Sequence, residues 1–276
     1  MSGSGSFDLN HPDLVSVLDE LPLWSAPFGL KLLSAVRLRR GIAALDIGCG
    51  TGFPLLELAG RLGESCHVTG LDPWEGAIAR IHMKIRTTGI GNVTVVPGIA
   101  EQMPFADASF DLIASNNGIN NVSDPEATMR ECARVGRPGA QLVITVNLPD
   151  TMKEFYGVYA EVLRTFRMES ALIALQEHIH MKRKPAEWTT RLVERAGFRI
   201  QRSEEDSFSM KYTDGTTMLN HFFIRFAFLE PWRNVVPAHD VERVFRAVEE
   251  ELNRIAESAG ELRLTIPFLC LSAFRT

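Results

Sequence analysis

Between residues 42 and 146, short apolar runs alternate with segments of helical period, and this rhythm constrains the fold more than any other feature of the chain. The strand candidates are Ala43–Ile47, Val68–Leu71, Val93–Val96, Phe110–Ala114 and Leu142–Val146. Between them, Leu55, Leu58, Ala59 and Leu62 share one helical face, with Pro54 in the first turn. Ile78, Ile81 and Ile85 mark a second helix. A third carries Ser123 and Glu126 at capping-box spacing, an early Pro125, and Gly136 as its stop. Strands that alternate with helices in this way imply a doubly wound α/β fold, a parallel sheet with helices on both faces.

Beyond the fifth strand the rhythm breaks. Residues 151–182 read as largely helical, and a further helix sets Trp188, Leu192 and Ala196 on one face before Gly197. Phe198–Arg202 fits a strand, and 207–232 is irregular and aromatic. An amphipathic helix then turns Val241, Val244, Phe245, Val248, Leu252 and Ile255 inward, and 262–274 reads as a buried strand. The expected organisation is an N-terminal helical cap over 1–40 and one domain over 41–276, with lid insertions at about 151–182 and 206–238.

The 276 residues carry a net charge of −5, whereas a chain whose main partner is nucleic acid is more often basic. Four cysteines are scattered without a Cys-x-x-Cys pair, which argues against a zinc site and a disulfide scaffold. The start lacks a basic segment followed by an apolar core, and no apolar run approaches the ~18 residues of a membrane span, so a cytoplasmic location is expected.

In a doubly wound sheet, ligands bind beyond the carboxyl ends of the strands, where strand order reverses. The first strand runs into "LDIGCGTGFP" (45–54), which places Gly48, Gly50 and Gly52 at that crevice. The spacing is G-x-G-x-G, and Phe53 stands where a dinucleotide fingerprint needs its third glycine, which disfavours a nicotinamide enzyme. Asp72 ends the second strand, twenty residues after Gly52, where a carboxylate can accept both hydroxyls of a ribose.

Taken with "VTGLDP" (68–73), "AEQMPFADASFDLIASN" (100–116) and "ARVGRPGAQLVIT" (133–145), this loop resembles the class I S-adenosylmethionine (AdoMet)-dependent methyltransferases. The similarity is greatest to the branch that includes ubiquinone and menaquinone biosynthesis methyltransferases and many small-molecule enzymes. It covers about residues 42–146 and implies a Rossmann-like, mostly parallel seven-stranded sheet with an antiparallel last strand. The resemblance implies that Asp46 and the backbone of Gly48 and Gly50 hold the amino-acid end of AdoMet, with Thr51 and Gly52 in the same cofactor turn. Asp72 would bind the ribose, Pro73 and Trp74 would pack near the adenine, and Ala100 and Glu101 would edge it. Asn116 would face the methionine part. Ile99 stands where members of the family often have an acid, which leaves adenine recognition to backbone groups or to Glu101.

The implied reaction is an in-line displacement that yields S-adenosylhomocysteine, helped by alignment and a dry pocket. Phe208, Phe222, Phe223, Phe226 and Phe228, with Trp24 and Phe28, are candidates to line an aromatic lid. Their density points to an apolar or aromatic small-molecule acceptor, with Trp24, Phe28, Tyr212 and Phe222 as its expected contacts. A hydroxyl or carbon acceptor needs a general base. His221, among phenylalanines, is the preferred one and His178 the second. His178 and His180 point to different faces of a helix, so their spacing is poor for chelation and no metal is expected. Two other readings are a methyltransferase of RNA or protein and an AdoMet-fold binding protein without methyl transfer. The acidic balance and the missing Asn/Asp-Pro-Pro-aromatic motif disfavour the first.

Overall fold

β1 (Ala43–Ile47) is buried at four of its five residues and β2 (His67–Asp72) at five of its six, as expected of central strands covered on both faces. The computed structural model describes residues 8–20 and 23–276, so 1–7 and 21–22 of the expected N-terminal cap lie outside the described residues. The remaining strands are β3 (Val93–Pro97), β4 (Phe110–Asn116), β5 (Gly136–Asn147), β6 (Phe198–Tyr212) and β7 (Leu262–Arg275). The helices run α1 (Pro12–Glu20), α2 (Ser25–Ala35), α3 (Leu55–Leu62), α4 (Glu75–Thr88), α5 (Pro125–Val135), α6 (Lys153–Thr165), α7 (Glu169–Lys182) and α8 (Ala186–Arg195). They continue as α9 (Gly215–Asn220), α10 (Phe222–Ile224), α11 (Glu230–Arg233) and α12 (Val241–Ala259), with a π turn over Arg225–Leu229.

The sheet order is β3-β2-β1-β4-β5-β7-β6, with β1 through β5 parallel and β7 antiparallel to β5. Strand order reverses between β1 and β4, where Asp46 pairs in register with Gly70 on one side and Ala114 on the other. The glycine loop and the end of β4 therefore meet at the switch point. No helix among the described residues is long and apolar enough to cross a membrane.

The chain divides into two compact units. Unit 1 holds the described residues through Asn147, together with Pro185–Asp206 and Phe268–Thr276. Its core joins Leu45, Ile47, Leu71, Leu112, Ile113 and Leu142 of the strands to Leu55 and Leu58 of α3. In this unit α1 is held to α4 by Asp19, which accepts from Arg80 Nε at 2.7 Å and from Lys84 Nζ. Unit 2 holds Leu148–Lys184 and Ser207–Pro267. It is built around Trp232, fully buried and stacked on Phe155 with ring centroids 3.9 Å apart. The Tyr159 hydroxyl donates to the Trp232 carbonyl at 2.9 Å, and Val244, Val248 and Leu252 of α12 complete this core.

Several local expectations are corrected. α5 is capped by Asp124, whose side chain accepts from Ala127 N–H at 2.9 Å, and not by Ser123 with Glu126. Asp124 sits next to Pro125 and therefore occupies the cap position itself. β5 begins at Gly136, directly where α5 stops, six residues before the expected start at Leu142. Ser207–Tyr212 extends β6 instead of forming irregular chain. Ile255, read as inward-facing, is 36% exposed, because the apolar stripe of α12 drifts past the core at that turn.

Candidate AdoMet-binding site

The loop after β1 turns through positive φ at Gly48 (+71°), Gly50 (+51°) and Gly52 (+107°). At Gly48 the need is also steric, since a Cβ there would lie 2.8 Å from the Gly118 Cα. Gly118 N-terminates the 3-10 turn Gly118–Asn121 that follows β4, so two bare backbones touch at the switch point. The loop's own N–H groups are largely engaged. Gly48 donates to the Leu71 carbonyl at 2.8 Å, Gly50 to Asp72 Oδ2 at 2.8 Å and Gly52 to the Cys49 carbonyl at 2.9 Å. A loop whose donors are occupied is a poor cradle for phosphate, which agrees with the absent third glycine. Phe53 fills that position, and its ring lies against the bare backbone of Gly29 in α2.

Asp46 is fully buried, and neither carboxylate oxygen has a hydrogen-bond partner among the described residues. Burial, and then repulsion from Asp72, hold its pKa well above the ordinary carboxylate range, and the Leu55 N–H at the head of α3 offsets this only in part. An orphaned buried carboxyl is costly and is compensated by a cation or a donor brought to it. Asp72 accepts from Gly50 N–H and, at 2.8 Å, from Trp74 N–H, while burial raises its pKa. Each of its oxygens keeps a further lone pair, so the carboxylate can still accept hydroxyl donors. These residues fit AdoMet: Asp46 suits an ammonium group and Asp72 a ribose.

The other expected contacts are placed as follows. Thr51 offers its carbonyl to Lys84 Nζ at 2.9 Å. Pro73 is exposed, and the Trp74 indole N–H donates to the Leu9 carbonyl at 2.8 Å. Ala100 is buried, and Glu101 accepts from Ser123 N–H at 2.6 Å and Asp124 N–H at 3.3 Å, which ties it to the start of α5. Ile99 is exposed. Asn116 is engaged at both ends of its amide, accepting from Thr145 Oγ1 at 2.9 Å and donating to the Ser25 carbonyl at 3.1 Å. Its neighbour Asn117 was not singled out by the sequence. Asn117 sits at φ +62°, with Oδ1 held by Asn120 Nδ2 at 2.8 Å and with a buried Nδ2 that has no partner. Asparagine adopts the left-handed region readily, and the run of asparagines at 116–121 was the available signal.

Trp24 and Phe28 belong to unit 1. Their ring centroids are 5.7 Å apart, and the fully buried Phe28 packs edge-on against Phe268 at 4.8 Å. Tyr212, Phe222, His178 and His221 belong to unit 2. The Tyr212 and His221 rings meet edge to face at 5.3 Å, and the Tyr212 hydroxyl and His221 Nδ1 are both buried without a partner. Burial pushes the Tyr212 phenol up to about 12. Phe222 stacks on Phe226 at 6.2 Å across the π turn. His178 Nε2 lies 3.3 Å from the Tyr156 hydroxyl, and His180 is exposed, with Nδ1 2.7 Å from the Gln176 carbonyl.

Residues 45–144 match the family described as methyltransferase domain. A demethylmenaquinone methyltransferase of Listeria welshimeri is 32% identical over 138 residues, 49% of this chain and 58% of the Listeria protein. The match thus spans little more than half the length of that relative. Among solved structures, the YcgJ protein of Bacillus subtilis superposes over 91% of this chain and 98% of its own, with a TM-score of 0.59 and 16% identity. A SAM-dependent methyltransferase from Aquifex aeolicus superposes over 70% of this chain and 91% of its own, with a TM-score of 0.52 and 24% identity. Over residues 45–144 the family match, the seven-strand order and the glycine loop agree on a methyltransferase domain with a Rossmann-like sheet.

Proposed function

We propose that the chain transfers the methyl group of AdoMet to an apolar or aromatic small-molecule acceptor. The observation that carries the donor half is Asp46, a fully buried carboxyl with two partnerless oxygens at the head of the glycine loop. Similarity to a demethylmenaquinone methyltransferase supports a small acceptor, and the aromatic density of unit 2 supports an apolar one.

The bound cosubstrate supplies an electrophilic methyl on a positively charged sulfur. Asp46 would anchor the ammonium end and Asp72 the ribose, fixing the donor along its length, so that alignment removes much of the entropic barrier. At Gly50 no atom lies within 4 Å of where a Cβ would stand, which leaves room for the donor to come close to the backbone. We assign the general base to His221. Its partnerless Nδ1 can take a proton from the acceptor, and the neighbouring Tyr212, kept neutral by its raised pKa, can donate a hydrogen bond to the oxygen left behind. Trp24 and Phe222 would offer apolar surface, the fully buried Phe28 would back Trp24, and His178 remains the second candidate base.

The test is thermal unfolding of the full chain with AdoMet, S-adenosylhomocysteine and NAD, followed by turnover on a panel of phenols, quinols and amines. AdoMet and S-adenosylhomocysteine at about 100 times their Kd should stabilise by about 2.7 kcal/mol, and NAD should not. Stabilisation by NAD alone would overturn the donor assignment. Binding of AdoMet with no release of S-adenosylhomocysteine on any acceptor would instead support a binding protein.

A further inference from the structure

Unit 2 buries a cation that its own residues do not neutralise. Arg183, at the end of α7, is only 6% exposed, yet it forms no ion pair with any acid among the described residues. Its one side-chain hydrogen bond among the described residues is a long one, Nη1 to the Thr151 carbonyl at 3.3 Å. Its guanidinium carbon lies over the Tyr156 ring, 4.9 Å from the centroid. Glu154, in the first turn of α6, is committed elsewhere, with its two oxygens accepting from Thr265 N–H at 2.9 Å and Thr265 Oγ1 at 2.5 Å. A carbonyl and a ring face offset only part of the cost of burying a full charge. Among the described residues, no Arg183 side-chain nitrogen is both fully enclosed and without a partner. The N–H groups that Arg183 leaves unbonded are therefore not completely sealed from solvent.

The surroundings define the ligand. The Tyr156 hydroxyl accepts from the Trp232 indole N–H at 2.9 Å and lies 3.3 Å from His178 Nε2. A second group able to carry positive charge thus stands on the same tyrosine as the guanidinium. Tyr156 is itself backed by the buried core rings Phe155 and Trp232, at 5.4 Å and 6.1 Å between ring centroids, which fix its orientation. A guanidinium fork matches the two oxygens of a planar oxyanion, and the Tyr156 ring beside it is the aromatic neighbour for the body that carries them.

We propose that Arg183, with His178 and Tyr156, binds an oxyanion, carboxylate or phosphate, borne on an apolar or aromatic molecule. The site stands on unit 2 alone, while the further step that its ligand is the methyl acceptor rests on the function proposed above. Arg183 is then the residue that selects anionic acceptors over neutral ones of the same shape.

Calorimetric titration of the full chain at constant ionic strength tests this with benzoate, phenyl phosphate and neutral benzamide. Benzoate or phenyl phosphate should bind saturably, and benzamide at least about tenfold more weakly; the better of the two anions identifies the oxyanion. Arg183→Met should weaken the anion about tenfold or more, with Arg183→Lys in between, while AdoMet affinity stays within about twofold. His178→Gln, at a half-buried position, should weaken it severalfold and serves if the Arg183 variants do not fold. Equal binding of benzoate and benzamide, or anion binding unchanged in Arg183→Met or His178→Gln, overturns the site. Failure of AdoMet to bind while benzoate binds overturns the methyl-transfer reading and leaves the anion site standing.

Discussion

At the scale of single residues, Asp46 separates binding from stability. Its folded pKa is raised, so between about pH 4 and that raised value the unfolded chain holds fewer protons than the folded one. Stability from this group is therefore greatest in acid and declines as pH climbs through the window. A ligand ammonium reverses the balance, and binding below the raised value should release up to one proton, read as a dependence of calorimetric heat on the buffer's ionisation enthalpy. Asp46→Asn should abolish that release and weaken AdoMet at least about tenfold. The same variant should stabilise the ligand-free protein, by about 2–4 °C in Tm for each kcal/mol relieved. A variant of lower Tm that binds AdoMet normally would contradict the assignment. His221→Ala should slow transfer by about 10²–10⁴ and leave the Kd for AdoMet within about twofold; an unchanged rate removes His221 as the base. Sequence alone could point to the asparagine run after β4 but could not choose within it. Thr145 and the Ser25 carbonyl engage Asn116, and at the left-handed turn Asn117 Nδ2 has no partner among the described residues.

At the scale of elements, the contact between α2 and the glycine loop accounts for Phe53. A Cβ on Gly29 would lie 2.2 Å from Phe53 Cε1 and 2.5 Å from Cζ, so α2 admits the ring only because position 29 is glycine. Gly29→Ala should destabilise by about 1–3 kcal/mol through overpacking, against about 1 kcal/mol gained in helix propensity. Adding Phe53→Leu should recover part of that loss, and urea unfolding of the two variants measures both terms. A Gly29→Ala protein more stable than the parent would show that the ring moves aside freely. Element identities in 42–146 were readable because apolar period and turn residues agree there. The boundaries that failed, at the α5 cap, the start of β5 and the end of β6, depend on which of several competent neighbours the packed chain selects.

At the scale of the molecule, the two units carry separable predictions. In hydrogen exchange, AdoMet should slow the amides of 46–52 and 116–118 in unit 1, whereas benzoate should slow 151–156 and 178–184 in unit 2. AdoMet protection confined to unit 2 would refute the site at the switch point. The sequence by itself determined the alternating α/β core and the glycine loop, and its motifs pointed to the methyltransferase family and singled out Asp46 and Asp72 as the proposed donor contacts. These follow from short-range patterns, strand and helix periods and fixed loop spacings, that survive in one dimension. Only the tertiary structure decided that the Asp46 oxygens and Asn117 Nδ2 have no partner among the described residues, that Asn116 is engaged at both ends of its amide, that Phe53 rests on a glycine of α2, and that Arg183 is buried with no acid paired to it among the described residues. Burial and hydrogen-bond satisfaction are sums over neighbours distant in sequence, and no local pattern encodes which buried group will be left without a partner.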